Sequence, residues 1–215
     1  MIPEIALRRA QALLDRGGRQ LMGIVGMPGA GKSTLAQSLA DSLGGRAMVV
    51  PMDGFHLANA ELARLGRAQR KGAPDTFDAA GYVALLRRLR EVHAGETVYA
   101  PAYHREIEQP IAGEIAVPPE LPLVITEGNY LLLDEDGWSG ARALLDDTWF
   151  IDVDPARRHR QLLERHIRYG RSREDALAWI EHTDEPNAVR IAATAVRADF
   201  RLALDTSRDG PAANA

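Results

Sequence analysis

Apolar positions along this chain alternate between two rhythms. Ile5, Ala6, Ala10, Leu13 and Leu14 recur at helical spacing ahead of Gly17-Gly18, which predicts an amphipathic helix over about residues 3–16. Leu21 to Val25 then form a continuous apolar run that ends in a glycine-rich turn. Leu35, Ala36, Leu39, Ala40 and Leu43 come next on one helical face, until Gly44-Gly45 stops it. The order repeats with an apolar run at Ala47–Met52, a helix marked by Tyr82, Leu85, Leu86 and Leu89, and buried-type runs at Leu121–Thr126 and Thr148–Val153. Such alternation implies an α/β fold with a mainly parallel sheet.

Asp154-Pro155 supplies an N-cap and first turn for a helix reaching about Tyr169, where Gly170 ends it. Ser172, with Asp175 three residues on, starts another, so Tyr169-Gly170-Arg171 reads as a tight elbow on which a lid could hinge. A last helix is expected over Asn187–Ala198, with apolar Val189, Ile191, Ala192, Ala195 and Val196, and a last strand over Phe200–Leu204. Residues 54–77 and 95–119 are expected to be irregular and to carry substrate specificity, being rich in Gly, Pro, His and Tyr. Trp138, Trp149 and Trp179 are read as packing residues. The organisation expected is one domain over 1–206 with a lid at about 165–185, then a fraying tail over 207–215.

Composition narrows the chemistry. The 215 residues are 46% hydrophobic and 26% charged, which is globular, and a net charge of -4 gives no general attraction to nucleic acid. With no cysteine, disulfides, thiolate nucleophiles and cysteine-ligated zinc are excluded. No stretch approaches a membrane span and the N-terminus lacks a signal-like apolar region, so the expected location is the cytoplasm, with no membrane partner.

One segment changes the picture most. Gly26-Met27-Pro28-Gly29-Ala30-Gly31-Lys32-Ser33 is a complete G-x-x-x-x-G-K-[ST] phosphate loop, placed between a predicted strand and a predicted helix. Glycine-rich backbone lets successive N–H groups face phosphate oxygens at a positive helix end. Lys32 neutralises the β- and γ-phosphates, Ser33 offers a hydroxyl to Mg²⁺, and Thr34 adds a phosphate contact. Gly26, Gly29, Ala30, Gly31, Lys32, Ser33 and Thr34 are thus the candidate ATP-binding residues. Asp53, at the end of the strand before Gly54, is a candidate general base or a simple turn aspartate. Glu127, after Leu123–Thr126, suits a second metal-side ligand beside Ser33, with a helix N-cap as the competing role. Arg157, Arg158, Arg160, Arg165, Arg168 and Arg171 are in the main a solvated face. Arg165 and Arg171 are the candidates to reach the transferred phosphoryl group. His56 could hold the acceptor or orient the base, or simply pack in its loop.

The pieces GMPGAGKST, MDGFH, RKGAPDTFD, ITEGNYLLLD, RHIRYGR and DEPNA together resemble the uridine kinase, phosphoribulokinase and bacterial pantothenate kinase family, over about Gly23 to Asp199. Within it the chain is similar to bacterial nucleoside-kinase-like proteins, some labelled fructose transport system kinases. That resemblance implies a P-loop three-layer sandwich with a small helical lid and a substrate-side insertion, ATP with Mg²⁺, Asp53 as base, Glu127 near the metal and Arg165 in the lid. It also implies Lys71, Tyr103 and Arg105 at the acceptor, Asn187 on the nucleotide side, and a homodimer as the assembly. His104 departs from the pattern, standing where relatives carry an acidic residue. The expected activity is transfer of the ATP γ-phosphate to a hydroxyl of a small molecule: a sugar such as fructose first, then uridine or another nucleoside, then pantothenate. The reading of another class is a non-catalytic nucleotide-dependent switch. Neither an N-K-x-D nor an L-S-G-G-Q motif is present to support a GTPase or a transporter ATPase.

Overall fold

The computed structural model describes residues 2–93 and 95–204; the tail expected to fray lies outside them. In chain order the elements are α1 (Glu4–Leu14), β1 (Gln20–Val25), α2 (Lys32–Ser42), β2 (Ala47–Pro51), α3 (Asn59–Arg64), α4 (Ala79–Arg90), β3 (Val98–His104), β4 (Gln109–Val117), β5 (Leu123–Gly128), β6 (Asp147–Asp152), α5 (Pro155–Arg168), α6 (Arg173–Trp179), α7 (Glu185–Ala193) and β7 (Phe200–Ala203). Five of the strands form one parallel sheet in the order β2-β5-β1-β6-β7. Side chains alternate across it. Leu21 and Val25 of β1 join a core with Tyr82 and Leu86 of α4, whereas Met22 and Ile24 join a second core with α1 and α2. The expected three-layer α/β sandwich is therefore the fold.

Strand order reverses about β1, whose neighbours β5 and β6 both come later in the chain, and ligands in open parallel sheets sit outside such a switch point. Three segments reach that edge together. The phosphate loop leaves β1, a 3₁₀ turn over Met52–Phe55 leaves β2, and Glu127 stands one residue before the end of β5, in register with Pro51 and Ile24. A buried hydrogen-bond chain fixes the β5 end: Tyr82 Oη and Thr126 Oγ1 lie 2.7 Å apart, and Thr126 Oγ1 donates to the Val50 carbonyl at 2.7 Å.

Residues 95–119 are not irregular, contrary to expectation. β3 and β4 form an antiparallel hairpin with a register shift between Ala100 and Ala102. Pro101 and Pro110 read as breakers, and β4 is too exposed to show an apolar rhythm. The hairpin crosses the turn after β2 closely: a Cβ on Gly54 would stand 2.3 Å from the Pro101 carbonyl oxygen, so glycine is required there. Residues 54–77 are irregular only in part, since they hold α3 and short helical turns at Ala68–Arg70 and Pro74–Thr76.

The C-terminal helices also differ from expectation. α6 runs into α7 through a π turn over Ile180–Asp184. Pro186 has no N–H for the His182 carbonyl, which opens the helix at that point, and Asn187 Nδ2 supports the wider turn by donating to the Thr183 carbonyl at 2.8 Å. Val189 and Val196 do not join the core, being 71% and 84% exposed; Ile191 and Ala195 are buried instead. Among the described residues no helix is long and apolar enough to cross a membrane.

Candidate active site

The phosphate loop is shaped by two glycines with left-handed backbone, Gly29 at φ 81 and Gly31 at φ 83, the latter capping α2. Helix α5 seats directly on the loop, so a Cβ on Gly29 would stand 2.9 Å from the Arg158 carbonyl oxygen. Arg158 is buried, donates to the Pro28 carbonyl at 3.4 Å and pairs with Glu185 at 2.5 Å, which makes it a brace of the loop. Ala30 differs from the other loop positions. Its N–H is engaged by the Met27 carbonyl at 3.0 Å, inside the loop itself. Lys32 is buried with its Nζ 3.2 Å from the same carbonyl. Burial pushes its ammonium down to about 8, partly offset by the Glu127 and Asp53 carboxylates.

Ser33 Oγ donates to Glu127 Oε1 at 2.8 Å. A hydroxyl and a carboxylate converging beside the phosphate loop are hard oxygen donors of the kind Mg²⁺ takes, since that ion uses one or two protein oxygens and completes its shell with phosphate and water. Burial and the nearby Asp53 charge raise the Glu127 carboxyl, with Lys32 and Ser33 opposing, so a cation here would relieve an unfavourable carboxylate. Asp53 lies on the same edge. Burial pushes its carboxyl up, but His56, Arg105, Lys32 and Arg165 outweigh it and hold the group below its ordinary value. Arg105 donates to Asp53 Oδ2 at 2.9 Å.

Two cavities open on this group. One, of about 370 Å³, is lined by Asp53, His56, Lys71, Tyr103, Arg171 and Glu127 among others. The other, of about 380 Å³, runs along Gly29, Gly31 and Thr34 against α5. Lys32, Ser33, Arg105, Arg165 and Tyr169 line both, whereas Asp53 lines only the first. A phosphate-side cavity and an acceptor-side cavity thus meet at the lysine, the hydroxyl and two arginines, which is what in-line transfer between two bound molecules requires.

On the acceptor side the His56 ring lies between Phe77 and Tyr103, with centroids 4.0 and 4.4 Å away. Its Nδ1 is 2.8 Å from the Asp53 carbonyl, which can only accept, so Nδ1 carries the proton. Burial lowers the ring's pKa against the opposing pull of Asp53, and the neutral tautomer keeps Nε2 as an acceptor. Lys71 donates to Asn59 Oδ1 at 2.6 Å and to the Glu108 carbonyl in the hairpin turn, with its Nζ 5.3 Å from the centre of the Tyr103 ring. Burial lowers its pKa, with Glu108 opposing. Arg165 is a different case: among the described residues no carboxylate lies within ion-pair distance of it. Arg171 stacks on Trp179, 3.9 Å from the ring centre.

Not every expected residue belongs here. Asn187 lines neither cavity; it is buried and its amide holds the π turn. His104 pairs with Glu114 at 2.6 Å on the hairpin and lines neither cavity. Trp138 and Trp149 are core residues, but Trp179 lines the acceptor cavity, beyond the packing role expected of it. Tyr169 of the expected elbow lines it too, as do Asn59, Glu108, Asn129, His166 and Asp184, none of which was singled out from sequence. Asn129 and Asp184 stand inside the segments ITEGNYLLLD and DEPNA, so the motifs held the signal.

Comparison with known proteins agrees with this geometry. The model of the phosphoribulokinase/uridine kinase family matches residues 21–203, from the first strand to the last. A Schizosaccharomyces pombe protein described as a candidate uridine kinase is 34% identical over 192 residues, covering 85% of this chain and 81% of its own. A crystal structure from Silicibacter sp. TM1040, described as a candidate fructose transport system kinase, is 38% identical. It superposes with a TM-score of 0.81 over 91% of this chain and 98% of its own. Yeast YFH7, from Saccharomyces cerevisiae, shares the fold at 17% identity, with a TM-score of 0.82 over 93% of this chain and 98% of its own. The chain belongs to the phosphoribulokinase/uridine kinase family and is an ATP-dependent phosphotransferase.

Proposed function

We propose that this kinase transfers the γ-phosphate of ATP to a hydroxyl of a small polyhydroxylated molecule, with a sugar such as fructose as the first candidate. The observation that carries the reading is the pair of cavities meeting at Lys32, Ser33, Arg105 and Arg165, with Asp53 only on the acceptor side. ATP would lie along Gly29, Gly31 and Thr34, its terminal phosphates against Lys32. Bound Mg²⁺, held by Ser33 and Glu127, would supply charge neutralisation across the phosphate oxygens. Asp53 accepts the hydrogen bond of the acceptor hydroxyl and takes its proton as the new bond to phosphorus forms. His56 Nε2, Lys71, Tyr103 and Arg105 orient the acceptor. Residues from about 165 to 185 act as a lid, bringing Arg165 and Arg171 from α5 and the elbow. The sugar reading is supported by the 38% identical structural relative, and a nucleoside acceptor by the 34% identical one.

The test is acceptor-dependent ADP release with MgATP across fructose, other sugars, uridine, cytidine and pantothenate. One acceptor should raise turnover well above the background hydrolysis. Flat turnover across the whole panel would count against the reading.

Lys32 also sets a pH dependence. Its ammonium attracts phosphate, and with its pKa at about 8 that charge is present below this value and lost above it. MgATP affinity should therefore be level below pH ~7 and weaken above pH ~8, by up to about tenfold per pH unit. Near pH 8 binding should take up protons, measurable by calorimetry in buffers of different ionisation heat. An affinity unchanged up to pH ~9.5 would show that Lys32 does not titrate there.

A further inference from the structure

Within the DEPNA segment, Asp184 and Glu185 engage two residues of α5 that lie two turns apart. Glu185 holds Arg158 and through it the Pro28 carbonyl of the phosphate loop. Asp184 accepts from His166 Nε2 at 2.8 Å, with side chains only 11% and 13% exposed. The two contacts differ in what they face: His166 and Asp184 line the acceptor cavity, and Glu185 does not. A carboxylate offers about four lone-pair sites. Among the described residues Asp184 has one hydrogen-bonded side-chain partner, so it keeps acceptor capacity inside a cavity. The π turn is what places it there, and such turns recur at functional sites.

We propose that the His166–Asp184 pair is a second hydroxyl-binding station of the acceptor cavity. The substrate is then an uncharged polyol, with one hydroxyl at Asp53 for transfer and another anchored at Asp184. This rests on the kinase reading for the position of the transferred hydroxyl. The station itself favours the same class, because a group seated on the Asp184 carboxylate must donate a hydrogen bond, which a hydroxyl does and an ionised carboxylate does not. His166 orients the Asp184 carboxylate, and Asn187 keeps the turn that presents it.

The test uses the full chain as wild type, Asp184→Asn and His166→Gln, with thermal shift in fructose, in uridine, in pantothenate and in MgATP, beside ADP release on the same samples. Fructose or uridine should raise the wild-type melting temperature, and Asp184→Asn should lose that shift while keeping the MgATP shift. In turnover the acceptor KM should rise about 10- to 100-fold with kcat changed less than about threefold, as for removal of uniform binding. His166→Gln should give a smaller loss of the same kind. A polyol shift in Asp184→Asn equal to wild type would overturn the proposal, as would a wild type shifted by pantothenate alone. Loss of the folded state in both variants would identify the pair as a structural tie and also overturn it. Polyol binding that depends on Asp184 but brings no acceptor-dependent ADP release would keep the station and remove the transfer reading.

Discussion

Asp53→Asn is expected to lower acceptor-dependent turnover by about 10²- to 10⁴-fold, the range for losing a positioned acid–base group, while MgATP binds as before. The substitution keeps the shape of the side chain, and its amide oxygen can still accept from Arg105. What it removes is the oxygen that receives the proton of the acceptor hydroxyl. Burial alone would raise the Asp53 carboxyl, but the surrounding His56, Arg105, Lys32 and Arg165 hold it below the ordinary value, so it is ionised through the neutral range. A carboxylate is too weak a base to strip an alcohol before bond breaking to ADP has begun. The proton therefore moves late, as the loose phosphoryl transition state collapses onto the oxygen. Single-turnover measurement at saturating MgATP separates this from binding. A rate within about threefold of wild type would remove Asp53 from proton transfer.

The phosphate loop, Asp53 and Glu127 were legible because each stands at or just past the end of a strand with a readable apolar run, and parallel strands bring their C-terminal ends to one edge. Ser172 and Asp154 were likewise readable as caps, and both side chains accept the expected backbone N–H. The hairpin was not. Its strands carry Pro101, Pro110 and Gly113, and only its base, at Val98, Ala100 and Val117, enters the core, so the rest has no apolar rhythm to read. Lys71 and Arg105 reached the site only through the family resemblance, since nothing local says that a lysine after a 3₁₀ turn will meet Glu108 in a hairpin turn 37 residues on. Asn187 shows the converse. The family resemblance put it on the nucleotide side, and its geometry shows an amide supporting the turn that Pro186 opens. Asp184 was hidden because it sits in the π turn itself, where helical periodicity fails.

The two lid arginines should separate by experiment, because they stand in different places. Arg165 lines both cavities and Arg171 only the acceptor cavity, where it is stacked on Trp179. Arg165 is half-buried; desolvation and repulsion by Arg105 lower its pKa, with Asp184, Asp53 and Glu127 opposing, and the guanidinium still stays charged. A half-buried cation without a paired carboxylate is unfavourable in the empty protein and favourable once a phosphate arrives. Arg165→Met is accordingly expected to lower kcat by about 10³-fold or more, the scale of a transition-state arginine, and to leave the melting temperature of the ligand-free protein equal to or above that of wild type. Arg171→Met should act mainly on the acceptor KM. The opposite ranking of the two kcat effects would move the phosphoryl contact to the elbow. A large loss of ligand-free stability in Arg165→Met would instead mean that the residue is held for packing, and that its charge is already balanced in the folded chain.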